Sequence, residues 1–175
     1  MLKINKYDIA LKNKNIIALL DTISHFEGAN YNTIVGGKTF SDYSKHPQQK
    51  IWIKSIKDFS TAAGRYQIIY PTWLWVSSEL GLKDFTPKSQ DYAALFLIEH
   101  KNQLQNAIDG RIDKVLESIS WIWASLPPSR YGQTSNTTKK VVEYFKKKVD
   151  TTPLQASYIF WLVLISIIIV IKVKK

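Results

Sequence analysis

Cysteine is absent from the 175 residues, which excludes disulfides, zinc-thiolate centres and a thiol nucleophile. Histidine is scarce: His25, His46 and His100 are scattered without metal-ligand spacing, so neither a metal nor a cofactor is expected. Acidic side chains are few, 14 against 24 Lys and Arg, for a net charge of +10. That excess is unevenly placed. Lys146, Lys147, Lys148, Lys172, Lys174 and Lys175 lie in the last thirty residues, leaving 18 basic and 13 acidic side chains in residues 1–145. A body this mildly basic, with no nucleic-acid-binding motif, argues against a nucleic-acid partner. No internal repeat or low-complexity stretch occurs, and an apolar fraction of 45% over this length supports one well-packed domain with an accessory segment.

The N-terminal stretch MLKINKYDIALKNKN is basic without a continuous apolar core, which is not the pattern of a secretory signal. The opposite end differs. Ala156 to Ile171 (ASYIFWLVLISIIIVI) carries no charge, and Leu154 and Val173 extend its apolar length. With snorkelling Lys172 and Lys174, it is expected to form a membrane helix over 156–173, reached through a linker at 150–155 containing Pro153. The expected location is therefore membrane-associated, a single pass in the bacterial inner membrane. Lysines flank the segment on both sides, so its orientation is undetermined.

Between these ends the pattern is mostly helical. Ile16, Ile17, Leu19, Leu20, Ile23 and Phe26 recur at helical spacing until Gly28 stops them, which puts Glu27 on the last turn of a helix. TIVGGKTF, with its Gly36-Gly37 pair, predicts a short hairpin directly afterwards. Further helical patterns run through Trp73, Val76 and Leu80 to Gly81, from Ala93 through Leu104, from Ile112 through Trp123 to Pro127-Pro128, and from Val141 to Val149. The expected class is α+β, predominantly α, with a small β-hairpin. Residues 1–149 form the domain.

A carboxyl group at a helix C-terminus meets the negative end of the helix dipole, and an apolar neighbour such as Phe26 adds a desolvation penalty. Both raise its pKa above that of a free glutamate. Cleaving a glycosidic bond requires an acid that stays protonated near neutral pH. From the residues alone, Glu27 is either such an acid or an ordinary helix-end side chain.

Several segments then carry a resemblance: Glu27-Gly28, IVGGKTFSDYSKHP (34–47), STAAGRYQ (60–67), LGLKDFTPKSQD (80–91) and IWASLPPSRYGQ (122–133). In their order and residues they resemble lambda-phage-type endolysins, lytic transglycosylases of the lysozyme-like superfamily. The resemblance covers most of residues 16–148. It implies a two-lobed lysozyme-like fold with Glu27 in a cleft, acting on bacterial peptidoglycan at the bond between N-acetylmuramic acid (MurNAc) and N-acetylglucosamine (GlcNAc). It also implies that Glu27 serves first as general acid and then as general base on the sugar's own 6-hydroxyl, giving a 1,6-anhydro end. An intramolecular attack needs no second carboxylate.

The amide of Gln67 and the phenol of Tyr131 are similar to those such enzymes place around the muramic sugar, with Gln133 and Tyr66 as further candidates. Core packing is the alternative for both tyrosines. Asp42, the best second carboxylate, is either a loop hydrogen-bond former or a nucleophile. Arg65 and Arg130 are candidates for carboxylates of the peptide stem. Of the tryptophans, Trp73, Trp75, Trp121 and Trp123 are expected mainly in the core, whereas Trp52, in KIWIK, is a candidate for stacking on sugar. His25 is expected to be a hydrogen-bonded neighbour rather than a second acid.

Two features depart from the family pattern: a shorter loop between Glu27 and IVGG, and Asn32 where an aspartate is usual. The competing readings are a hydrolytic muramidase of the same fold and a catalytically inactive wall-binding protein tethered to the membrane. A holin-like protein is a further expected partner, because no export signal precedes the domain.

Overall fold

A computed structural model describes residues 2–128 and 137–153. Seven helices carry the described core: α1 (Leu2–Ala10), α2 (Lys14–Glu27), α3 (Tyr70–Leu80), α4 (Pro87–His100), α5 (Leu104–Ile108), α6 (Ile112–Ile119) and α7 (Thr138–Thr151). Between α2 and α3 lies a two-stranded antiparallel sheet, β1 (Ile51–Ile53) with β2 (Asp58–Ser60), in the register Ile51 to Ser60, Trp52 to Phe59 and Ile53 to Asp58.

The site depends most on α2. Asn13 caps its start, its side-chain oxygen accepting from the backbone N–H of Asn15 (2.8 Å) and Ile16 (3.2 Å), which satisfies two of the helix's otherwise unbonded donors. Ile16, Leu19, Leu20 and Ile23 then return to one face, each at most 2% exposed. Burial of such side chains is worth about 1.5–3 kcal/mol apiece. This face packs against α5 and α7, where Val141 and Phe145 are buried. Gly28 ends the helix in the left-handed conformation (φ +63°), as its position after Glu27 predicts.

The sheet differs from the expectation. Around Gly36-Gly37 the chain makes a tight turn closed by Ile34 N–H to Lys38 O (2.7 Å) and by a single bridge between Thr33 and Thr39. The paired strands lie later, at 51–60. The helical pattern expected to run from Ala93 through Leu104 is broken after His100, where Asn102 takes φ +57°, and α6 ends at Ile119 rather than continuing through Trp123.

The expected C-terminal membrane helix requires a larger correction. Among the described residues no helix is long and apolar enough to cross a membrane. The longest have 14 residues, about 21 Å at 1.5 Å per residue against a hydrocarbon core of about 30 Å. Residues 154–175, on which that expectation rested, lie outside the described residues. The membrane helix is therefore no part of the described architecture, and the membrane-associated location drawn from it is set aside.

Candidate active site

Glu27 is the last residue of α2 and is partly buried. Ser125, in the turn after α6, donates its hydroxyl to Glu27 Oε1 at 2.5 Å. Burial pushes the Glu27 carboxyl above its ordinary range, and the hydroxyl and backbone N–H of Ser125 pull it partly back. A carboxyl set this way holds a proton longer than a solvated one, while Ser125 orients it.

Around it the chain is pinned by Arg65. This guanidinium is paired through Nη2 with Asp21 on α2 and through Nη1 with the hydroxyls of Tyr31 (2.9 Å) and Tyr66 (3.1 Å). Those two phenols donate onward to Asp91 on α4, at 2.9 and 2.6 Å. Burial opposes the charge of Arg65, but Tyr66, Tyr31, Asp91 and Asp21 outweigh it and raise its pKa. The backbone is locked too: Gln90 Oε1 accepts from Arg65 N–H (2.8 Å), and Gln90 Nε2 donates to the carbonyls of Tyr31 and Phe85. Arg65 is thus a structural tie, and it also lines an open pocket with Asp21, Tyr31 and Tyr144.

The other candidates are distributed as follows. Gln67 is held at φ +45°, its amide donating to the carbonyl of Gly64 (2.9 Å), and it lines an open cleft of about 410 Å³. Tyr66 is 0% exposed, its hydroxyl engaged in the Arg65–Asp91 network. Asp42 is exposed and accepts from the backbone N–H of Ser44 (2.8 Å) in an Asx turn; the Ser44 hydroxyl first, and this N–H second, lower its pKa. Asn32 supplies its carbonyl to Phe40 N–H (3.0 Å). His25 lies flat on Tyr144, ring centroids 4.0 Å apart. Arg130, Tyr131 and Gln133 lie outside the described residues. Trp73 and Trp123 are core residues, but Trp75 and Trp121, expected there as well, are 39% and 54% exposed.

Ser125 and Asp91 were not singled out in the sequence, although both sit in the segments that carry the resemblance. A serine or aspartate in a turn or helix start gives no sequence pattern of its own. Among the described residues no group of three or more His, Asp or Glu could hold a metal ion.

The comparisons agree with this geometry. The endolysin family model matches residues 17–152. The endolysin of Escherichia phage lambda is 39% identical over 144 residues, covering 77% of this chain and 90% of the relative. The chain belongs to the endolysin family. The endolysin of Escherichia phage P2 is 35% identical over 153 residues, with 77% and 92% covered. Among solved structures, a bacteriophage lambda lysozyme complexed with a chitohexasaccharide superposes with a TM-score of 0.72 at 39% identity, covering 78% of this endolysin and 94% of that chain. A second structure, of lysozyme from bacteriophage lambda, gives 0.71 at 36% identity, with the same coverage. The fold is therefore the lysozyme-like α+β fold, predominantly helical.

Proposed function

We propose that this endolysin cleaves the glycan strands of bacterial peptidoglycan as a lytic transglycosylase, at the MurNAc-GlcNAc β-1,4 bond. The observation that carries the reading is Glu27, a carboxyl with a raised pKa at the end of a capped helix and one hydroxyl on Oε1. In the first step Glu27 gives its proton to the bridging oxygen as the C1–O bond breaks, and GlcNAc leaves with a free 4-hydroxyl. The Glu27 carboxylate then takes the proton of the muramic 6-hydroxyl, and O6 bonds to C1. Glu27 ends as it began, and no water is consumed.

The carboxylates nearest to an alternative role support an intramolecular nucleophile. A retaining hydrolase needs a second carboxyl about 5–5.5 Å from the acid. Asp42 is held in its Asx turn, Asp91 by two phenols, and Asp21 by Arg65. Gln67 is assigned to hold the muramic sugar, together with Tyr131 and Gln133. The name lysozyme borne by the solved relatives favours the second reading, hydrolysis by an activated water. Mass analysis of digested murein separates the two: anhydromuramic ends are each one water lighter than reducing ends. Glu27→Gln is expected to slow wall clearing by about 10²–10⁴-fold, the usual contribution of a general acid. Reducing ends labelled by borohydride would refute the transglycosylase reading, and undiminished clearing by Glu27→Gln would refute the assignment of the acid.

A further inference from the structure

An open pocket of about 510 Å³ is lined along α2 by Asp21, Ser24, His25 and Gly28, and from α7 by Tyr144 and Lys148. Asp21 and Gly28 are seven positions apart, about 10.5 Å of helix rise. Gly28 follows Glu27 directly, so the lining reaches to within one residue of the candidate acid. The Glu27 carboxyl itself is bonded to Ser125 and is not among the lining groups.

Two charged groups in this pocket keep bonding capacity in reserve. Asp21 accepts from Arg65 through Oδ1, while its Oδ2 lies 3.8 Å from Lys148 Nζ, beyond the roughly 2.7–3.2 Å of an N–H···O bond. Neither Oδ2 nor Nζ makes a hydrogen bond among the described residues. Both side chains meet solvent, at 27% and 36% exposure. A carboxylate and an ammonium this close and unbonded complement a ligand that carries both signs.

Other ligand classes fit worse. A sugar ring needs a free flat face, and the rings here are engaged: His25 stacks on Tyr144 at 4.0 Å, and Lys148 lies over the Tyr144 ring at 5.6 Å. A polyphosphate would meet the Asp21 carboxylate, and a simple amine would meet the Lys148 and Arg65 cations. A peptide bearing free carboxylate and ammonium groups satisfies both signs with charge-assisted hydrogen bonds. Peptidoglycan supplies one, because its muramic ring carries on the lactyl group a short peptide with free carboxylates and, at its diamino acid, an ammonium. At no more than about 3.6 Å per extended residue, three such residues span the pocket.

We propose that this pocket binds the peptide stem of the wall polymer, Lys148 taking a stem carboxylate and Asp21 a stem ammonium. The proposal rests on the peptidoglycan-cleaving reading of the site and extends it from the glycan to the peptide. Arg65 stays in its tie and adds positive charge behind Asp21.

The test compares the full chain on murein and on the same murein stripped of its peptides by an amidase. Lys148→Ala should raise KM on murein about fivefold, the upper end for a partly exposed ion pair, with kcat kept and KM on the stripped glycan unchanged. Lys148→Arg should restore most of the loss. In the Glu27→Gln chain, calorimetry should show a disaccharide-peptide binding more tightly than the peptide-free disaccharide, and Lys148→Ala should remove that difference. An unchanged KM on murein overturns the stem site. An equal rise on both substrates also overturns it, since a merely structural role of Lys148 would act on both. Failure of the catalytic reading would look different: reducing ends produced, or murein left whole, while the Lys148-dependent preference for the disaccharide-peptide persists.

Discussion

Gly64 should be among the least replaceable residues of the fold, and Gly64→Ala tests the tie centred on Arg65. Gly64 has φ +77°, and a Cβ built there would lie 2.3 Å from Gln90 Oε1 and 2.9 Å from Phe85 Cζ. Gly81 supplies an internal control, with φ +67° and nothing within 4 Å of the added carbon. The left-handed backbone alone costs about 1–2 kcal/mol for a residue with a side chain, and this applies to both. Overpacking adds about 1–3 kcal/mol, and this applies only at Gly64, where Gln90 is buried and bonded on three sides. The totals are about 1–2 kcal/mol for Gly81→Ala and about 2–5 kcal/mol for Gly64→Ala. At about 2–4 °C per kcal/mol for a chain of this size, the expected Tm losses are roughly 2–8 °C and roughly 4–20 °C. Calorimetric scans of the two variants and the parent measure the difference directly. A Gly64→Ala Tm equal to or above that of Gly81→Ala would refute the reasoning, since it would mean that Gln90 yields without loss.

Two predictions concern pH. Ser125→Ala removes a donor that favours the charged form of Glu27, so the pKa of the acid rises and the alkaline limb of kcat/KM for murein should move to higher pH; a limb that stays in place would sever Ser125 from the acid. His46 is buried, with Nε2 bonded to the carbonyl of Ile68 (2.9 Å) and Nδ1 accepting from Gln48 N–H (3.1 Å). Burial lowers its pKa, only partly offset by the bond to Ile68. The unfolded chain then takes up a proton near pH 6.5 that the folded chain refuses, so stability should fall as pH drops from about 7 through 6.5 and level off below the folded pKa. Denaturant midpoints at pH 7.5 and 5.5 measure the slope, which His46→Gln should flatten; an unchanged slope would place its origin elsewhere.

The elements legible in the sequence were those whose signal is local. Helix α2, its end at Gly28 and the position of Glu27 follow from apolar spacing and one glycine. Strands β1 and β2 were hidden because each has only three residues and neither faces a deep core: Trp52 and Phe59 sit opposite each other, both more than half exposed. The Gly36-Gly37 pair marked a real turn, but the pairing beyond it stops after one bridge. The role of Arg65 could not be read locally, because its partners Asp21 and Asp91 are 44 and 26 positions away in the chain. The exposure of Trp75 and Trp121 was equally hidden, since a helical apolar pattern does not say which of its members lies at a cleft. The membrane segment was inferred from apolar length alone and has no counterpart among the described helices.

One cation joins the helix that ends in Glu27 to the loop that carries Gln67: Asp21 lies six positions before Glu27, and Gln67 two positions after Arg65. The spacing of Glu27 and Gln67 is consequently gauged from a common anchor, Arg65, rather than from either rim of the groove. Insertions and deletions in the surrounding loops can therefore occur while that spacing is kept.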